Sequence, residues 1–191
     1  MKIFILLGHP DDSLAPLSRR LADAYEQTAK AAGHDVRRVN ISDLHFDPIL
    51  HHGYRARMDL EPDLLAVQEN MTWCDHFVLF FPNWWGGMPA LLKGMWDRMF
   101  LPRFAFSMHK NRLGWDKLLK GRTAHVFITC SNPPIFDYLA FGNYAASIGS
   151  SILRFAGFRT RVTSFGPSET APEPKRLMWV AKVESFARKA K

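Results

Sequence analysis

Phe80–Phe106 reads FFPNWWGGMPALLKGMWDRMFLPRFAF, and this stretch decides the fold. An apolar strand body, Phe77–Phe81, runs into a Pro-Asn-Trp-Trp-Gly-Gly turn. A helical pattern follows over Met88–Phe100, with Leu91, Leu92, Met95, Trp96, Met99 and Phe100 as a wide apolar stripe. The turn therefore brings two indoles, a glycine pair and a helix start to the carboxyl edge of a sheet. Open α/β sheets bind flat ligands at that edge.

Outward from this stretch, strand and helix alternate along the chain. Ile3–Leu7 is a continuous apolar run, as in a strand covered on both faces. A polar loop, Gly8–Ser13, leads to a helix with Leu17, Leu21, Tyr25, Thr28 and Ala32 on one face, ended by Gly33. Val36–Ile41 reads as a second strand, and Ser42–Glu61, rich in His, Asp and Pro, as a long irregular connection. Pro62–Trp73 is predicted helical with Leu64, Leu65, Gln68 and Met71 inward. Thr123–Thr129 is the fourth strand. After a Ser-Asn-Pro-Pro loop come a helix over Tyr144–Phe155 ended by Gly157, a fifth strand over Phe158–Phe165, and a last helix over Pro174–Ala190. Largely apolar strands alternating with helices predict an α/β fold, a five-stranded parallel sheet in the flavodoxin-like order 2-1-3-4-5 with helices on both faces. One domain over residues 1–191 is expected, since the length suits a single core and no linker interrupts it.

Composition narrows the function classes. Net charge is +7, but the cations are scattered and form no recognised binding motif, so nucleic-acid binding is not expected. No apolar run is long enough to cross a membrane. The two cysteines, Cys74 and Cys130, form no CxxC pair and suit a reducing cytoplasm.

In this strand order the ends of strands one and three open a crevice between Gly8–Ser13 and Pro82–Gly87. Free backbone N–H groups at the first helix's entrance, with His9 and Ser13, can cradle a phosphate, although Ser13 also suits a turn or cap and His9 a solvated loop. Pro82 stiffens the second loop, and Gly86 and Gly87 permit close approach or positive φ. Trp84 and Trp85 offer flat faces to a tricyclic redox ring; the alternative, that both fill the core, conflicts with two adjacent indoles in one turn. Thr129-Cys130-Ser131-Asn132 approaches from the other side, with Cys130 either a nucleophile or, lacking a His/Asn pairing, a buried spectator. His45, Asp47, His51 and His52 are potential metal ligands, but the intervening Pro48 and the lack of a helical i, i+4 histidine pair favour a loop with solvent-facing histidines.

These segments, above all FPNWWGGMPALLKGMWDRMF and the FDPIL of Phe46–Leu50, resemble the NAD(P)H:quinone oxidoreductase (DT-diaphorase-like) family of flavodoxin-fold proteins. The likeness covers about residues 2–166, and the family includes bacterial quinone reductases and ancillary subunits of potassium efflux systems. The resemblance implies FMN or FAD, with FMN preferred, NAD(P)H as co-substrate, a quinone-like acceptor and a cytoplasmic homodimer with the flavin near the subunit boundary. It places His9, Ser13, Leu14 and Ala15 round the flavin phosphate. Pro82, Asn83, Trp84 and Trp85 then fall at the isoalloxazine, and Thr129, Cys130 and Ser131 near its pyrimidine edge. Pro16 stands where relatives often carry Asn, and Gly86 where they carry an aromatic residue. The Tyr and His that assist hydride transfer in the animal enzymes fall near Phe136 and Gly142, neither of which relays a proton; Tyr138 is a neighbouring substitute. Trp85, Phe104 and Phe106 are candidates for the acceptor site, or for core and dimer packing. The alternative function is a flavin-fold regulatory subunit docked on a potassium efflux transporter.

Overall fold

The computed structural model describes residues 1–11, 16–56 and 58–190. Its main sheet holds β1 (Lys2–Leu7), β2 (Asp35–Asn40), β3 (His76–Pro82), β6 (Thr123–Thr129) and β7 (Arg159–Phe165). All pairings are parallel, in the spatial order β2-β1-β3-β6-β7. Among these five strands that is the expected 2-1-3-4-5. Two short strands, β4 (Phe106–Met108) and β5 (Trp115–Lys117), form a separate antiparallel hairpin that the sequence pattern did not reveal.

Period-two side-chain alternation sorts the core into two layers. Ile3, Ile5, Leu7, Val78, Phe80 and Phe127 face one side, where α1 (Leu17–Ala31) and α5 (Glu173–Lys189) cover them with Leu21, Tyr25, Val183 and Ala187. Phe4, Leu6, Phe77, Leu79, Val126 and Ile128 face the other side. There α2 (Pro62–Trp73) and α3 (Ala90–Met99) bury Leu64, Val67, Met71, Leu92, Met95 and Trp96. All seven residues of β3 are buried, which is why its sequence runs apolar without alternation. Each such Leu or Phe contributes roughly 1.5–3 kcal/mol by leaving water.

The expected helix over Pro62–Trp73 has those ends, but Leu65 points to solvent and Val67 takes the inward place. Gln68, expected inward, is half-buried and donates from Nε2 to Met99 O at 2.7 Å. The stretch after β6 also differs. Instead of a bare loop, α4 (Pro134–Phe141) begins at Pro134, because proline's fixed φ and missing N–H suit a first turn. Ser147–Arg154 winds as a wide π-type helix, and beyond it Gly157, at φ +116°, ends the turn, with Gly157 N and Phe158 N both donating back to Leu153 O at 3.1 and 3.0 Å.

The long connection after β2 has a short 3-10 turn, Ile41–Asp43, and is otherwise irregular up to α2 among the described residues. It is fastened to α3. The buried Arg98 side chain bonds Asp47 O, Asp59 O and both carboxylate oxygens of Glu61. Gly94 permits this contact, since a Cβ there would lie 2.5 Å from Pro48 Cβ.

Candidate functional site

The exits of β1 and β3 leave toward opposite faces, to α1 and α3, and so open a crevice at the carboxyl edge. Gly8 N donates to Phe80 O at 2.7 Å, carrying the β1–β3 ladder one step further. The next ring, His9, meets Trp84 edge-on with centroids 5.8 Å apart, and His9 Nδ1 accepts the N–H of Asp11 at 3.1 Å. On the other flank Asn83 N donates to Thr129 O at 2.7 Å. The first, third and fourth main strands thus end at one place, with His9, the Pro82–Gly87 turn and Thr129 side by side. Ser13, Leu14 and Ala15 lie outside the described residues. Pro16, which follows them, sits just before α1, and its carbonyl accepts the N–H groups of Arg19 and Arg20.

The turn itself is a tight reversal. Trp84 N donates to Gly87 O at 2.8 Å and Gly87 N to Trp84 O at 3.0 Å. The two residues between, Trp85 at φ +53° and Gly86 at φ +74°, are both left-handed, as a type I′ turn requires. The positive-φ pair is therefore Trp85 and Gly86 rather than the two glycines. A tryptophan held there is strained by about 1 kcal/mol or more. Trp85 is 93% exposed and Trp84 45%, so neither fills the core. A Cβ on Gly86 would lie 2.7 Å from Phe141 Cβ, which places the end of α4 against this turn.

Behind the turn lies a buried polar cluster that sequence reasoning missed. Asp137, on α4 and 3% exposed, accepts Asn83 Nδ2 at 2.7 Å and Asn132 Nδ2 at 3.3 Å. The signal for it was an acid in the first turn of a helix that opens with Pro. Next to it the Cys130 thiol donates to Tyr144 Oη at 3.6 Å, and the Tyr144 hydroxyl to Ser164 Oγ at 3.0 Å. Burial pushes both Cys130 and Tyr144 up to about 12. Cys130 is thus a fully buried neutral thiol and not a nucleophile. Its N–H is taken by Phe165 O and its carbonyl by Ser168 N, while Ser131 Oγ donates to Glu169 Oε1 at 2.9 Å.

Two buried polar atoms at this edge have no partner among the described residues: Asn83 Oδ1 and, in the first turn of α1, Ser18 Oγ. The amide oxygen needs a donor and the hydroxyl can give its proton to an acceptor, and burying either unpaired costs free energy. A planar ring with an N–H edge and a phosphorylated tail supplies both needs, so the residues present fit a flavin.

The other residues singled out in the sequence are placed as follows. Phe104 packs edge-on against Phe100, and Phe106 edge-on against Phe155. Phe136 and Tyr138 are exposed on α4, and Gly142 follows it at φ +72°. His51 Nε2 lies 2.7 Å from Asp47 Oδ2, and no cluster of three or more metal-ligating side chains occurs among the described residues. No described helix is long and apolar enough to cross a membrane.

The family defined by the flavodoxin-like fold matches residues 1–176. The chain belongs to that family. Within reach of this flavodoxin-like chain is an uncharacterized NAD(P)H oxidoreductase of Haemophilus influenzae, 30% identical over 146 residues, or 74% of this chain and 70% of that protein. The ribosyldihydronicotinamide dehydrogenase [quinone] of Rattus norvegicus is 27% identical over 140 residues, or 66% of this chain, which spans 58% of that relative's length. The crystal structure of an FMN-dependent NADH-azoreductase from Bacillus anthracis in complex with FMN has a TM-score of 0.72, covers 98% of each chain and is 19% identical, a likeness of fold.

Proposed function

We propose that this chain is a flavin-dependent NAD(P)H oxidoreductase that passes two electrons from a nicotinamide to a quinone-like acceptor. The observation that carries it is the crevice edge where His9, Trp84 and Asn83 meet Thr129 and leave Asn83 Oδ1 unpartnered. The oxidoreductase names of the Haemophilus and rat relatives support the same activity. They give no support to the transporter-docking alternative.

When bound, the flavin supplies the two-electron hydride chemistry, and the protein supplies orientation and electrostatics. His9, Ser13, Leu14 and Ala15, with the entrance of α1, hold the phosphate. Pro82, Asn83, Trp84 and Trp85 hold the ring, and Thr129, Cys130 and Ser131 wall its far edge. Solvent delivers the acceptor's proton, because Phe136 and Gly142 have none to give. FMN is preferred over FAD, in line with the FMN-bound Bacillus anthracis neighbour. The chain works as a single flavin-binding unit in a cytoplasmic homodimer. The exposed Trp85, Ile135 and Leu139 near this edge supply apolar surface for a second copy, and two unpaired buried thiols suit a reducing compartment.

Purification followed by release and mass analysis of the bound cofactor tests the proposal, with NADH and NADPH oxidation followed in the presence of a quinone. Flavin absorbance and acceptor-dependent turnover are expected. Protein that carries no flavin and rebinds neither FMN nor FAD overturns it.

A further inference from the structure

Asp137 is the one buried carboxylate at the crevice edge among the described residues, and the proposed reaction has no use for it as an acid or base. What it does follows from donor and acceptor counting. Both carboxylate oxygens accept from amide NH2 groups, Oδ2 from Asn83 and Oδ1 from Asn132, so the NH2 is the end of the Asn83 amide that faces Asp137. The contact is short, 2.7 Å from Nδ2 to Asp137 Oδ2, and buried at both ends. The amide is thereby locked in one orientation, since a flip would set Oδ1 against the carboxylate. Its carbonyl oxygen is left on the opposite side, buried and without a partner. Asn132 fixes the carboxylate in turn from the loop after β6, donating to the other oxygen, Oδ1, at 3.3 Å.

We infer that Asp137 is a positioning residue that fixes the polarity of the Asn83 side chain, so that Oδ1 acts as an obligatory acceptor for a ring N–H of the cofactor. This rests on the flavin proposal above and goes beyond it by assigning the recognition to a side chain. The oxidised isoalloxazine has a single ring N–H, at N3, so the acceptor selects for that atom. A donor-lacking ring leaves Oδ1 buried and unsatisfied, which is the asymmetric situation that gives hydrogen-bonding sites their selectivity. This one carboxylate ties the turn at Asn83 to the loop and helix that carry Asn132 and Asp137, the latter 54 positions further along the chain. The turn that carries Trp84 and Trp85 is held from behind as a result.

The experiment titrates apo-protein with FMN and with N3-methyl-FMN by fluorescence, for the wild type, Asp137→Asn and Asn83→Ala. The wild type is expected to bind FMN at least tenfold more tightly than the methylated ring. Asp137→Asn is isosteric but lets the amide flip, so the discrimination should fall to within about threefold while circular dichroism and thermal midpoint confirm a folded protein. Asn83→Ala should lose the discrimination as well. Equal affinity of the wild type for the two rings overturns the inference without any variant. Discrimination that survives Asp137→Asn overturns it too. Failure of the wild type to take up either FMN or FAD would instead remove the functional proposal and this inference with it.

Discussion

Arg98 and Glu61 face each other as a two-pronged pair: Nη1 lies 3.0 Å from Glu61 Oε1 and Nη2 3.0 Å from Oε2, with Arg98 1% exposed. The guanidinium also bonds the carbonyls of Asp47 and Asp59, so its hydrogen-bond partners Asp47, Asp59 and Glu61 all belong to the connection before α2. Removing the carboxylate leaves a buried cation short of its charge partner. Glu61→Ala should cost about 3 kcal/mol or more in urea unfolding. A loss under 1 kcal/mol would show that the carbonyls alone satisfy Arg98.

The same pair sets an acid limit. Burial alone would raise the Glu61 pKa, but hydrogen bonds from backbone N–H groups and from Arg98, with its charge, hold it below the usual carboxylate range. A depressed folded value means that stability is fully present above the unfolded value, about 4.3, and is lost as pH falls through the folded one. Stability measured from pH 5 to pH 3 should fall less steeply in Glu61→Gln than in the wild type. Parallel curves would refute this.

A second pH window belongs to His76, at the opposite end of β3. Its Nδ1 is 2.7 Å from Thr123 Oγ1, and its ring is almost wholly buried. Burial first, then the charge of His34, pushes its pKa down to about 4. The unfolded value is near 6.5, so the folded protein keeps this contribution above pH 6.5 and loses it as pH falls toward 4, a change of about 3 kcal/mol. His76→Gln should narrow the stability difference between pH 7 and pH 4.5. An unchanged difference would assign the effect to other groups.

Gly86 and Gly87 should behave differently despite being neighbours. Alanine at Gly86 meets both a positive φ and Phe141, and should cost roughly 1–3 kcal/mol while weakening flavin binding. At Gly87 a Cβ would have Trp84 O as its nearest neighbour at 3.8 Å, so alanine there should be tolerated within about 0.5 kcal/mol. Equal losses in a denaturant series would contradict the turn geometry.

Trp85→Ala separates binding from folding. The indole is so exposed that its removal should change stability by less than about 0.5 kcal/mol. If it lies on the flavin or its acceptor, affinity or kcat/KM should fall about threefold to tenfold, the scale of a stacked aromatic pair. Unaltered binding and turnover would make it a purely interfacial side chain.

Much of the architecture was legible because parallel strands buried on both faces write themselves as apolar runs. Thr123–Thr129 and Pro62–Trp73 have the ends expected of them, and the strand order is the flavodoxin-like one that five strands in a chain of this length suit. What escaped was structure without periodic burial. The exposed Ile135, Phe136 and Leu139 of α4 give no inward stripe, and the proline pair before them suggested a loop. Three-residue strands such as Phe106–Met108 are too short to show a period. The crevice residues could be found by topology, since loop ends at a switch point are predictable. The Asn83–Asp137 bond could not, because nothing local links positions 54 apart in sequence.

The bare backbone of Gly94 against Pro48 limits how this chain can diverge. Successive residues of an α-helix are set about 100° apart, so one amino acid gained or lost between Met88 and Gly94 would swing the notch away and drive Lys93 or Met95 into the proline. Length changes in homologous genes should therefore collect beyond the helix, in the outlying hairpin, and spare its first two turns.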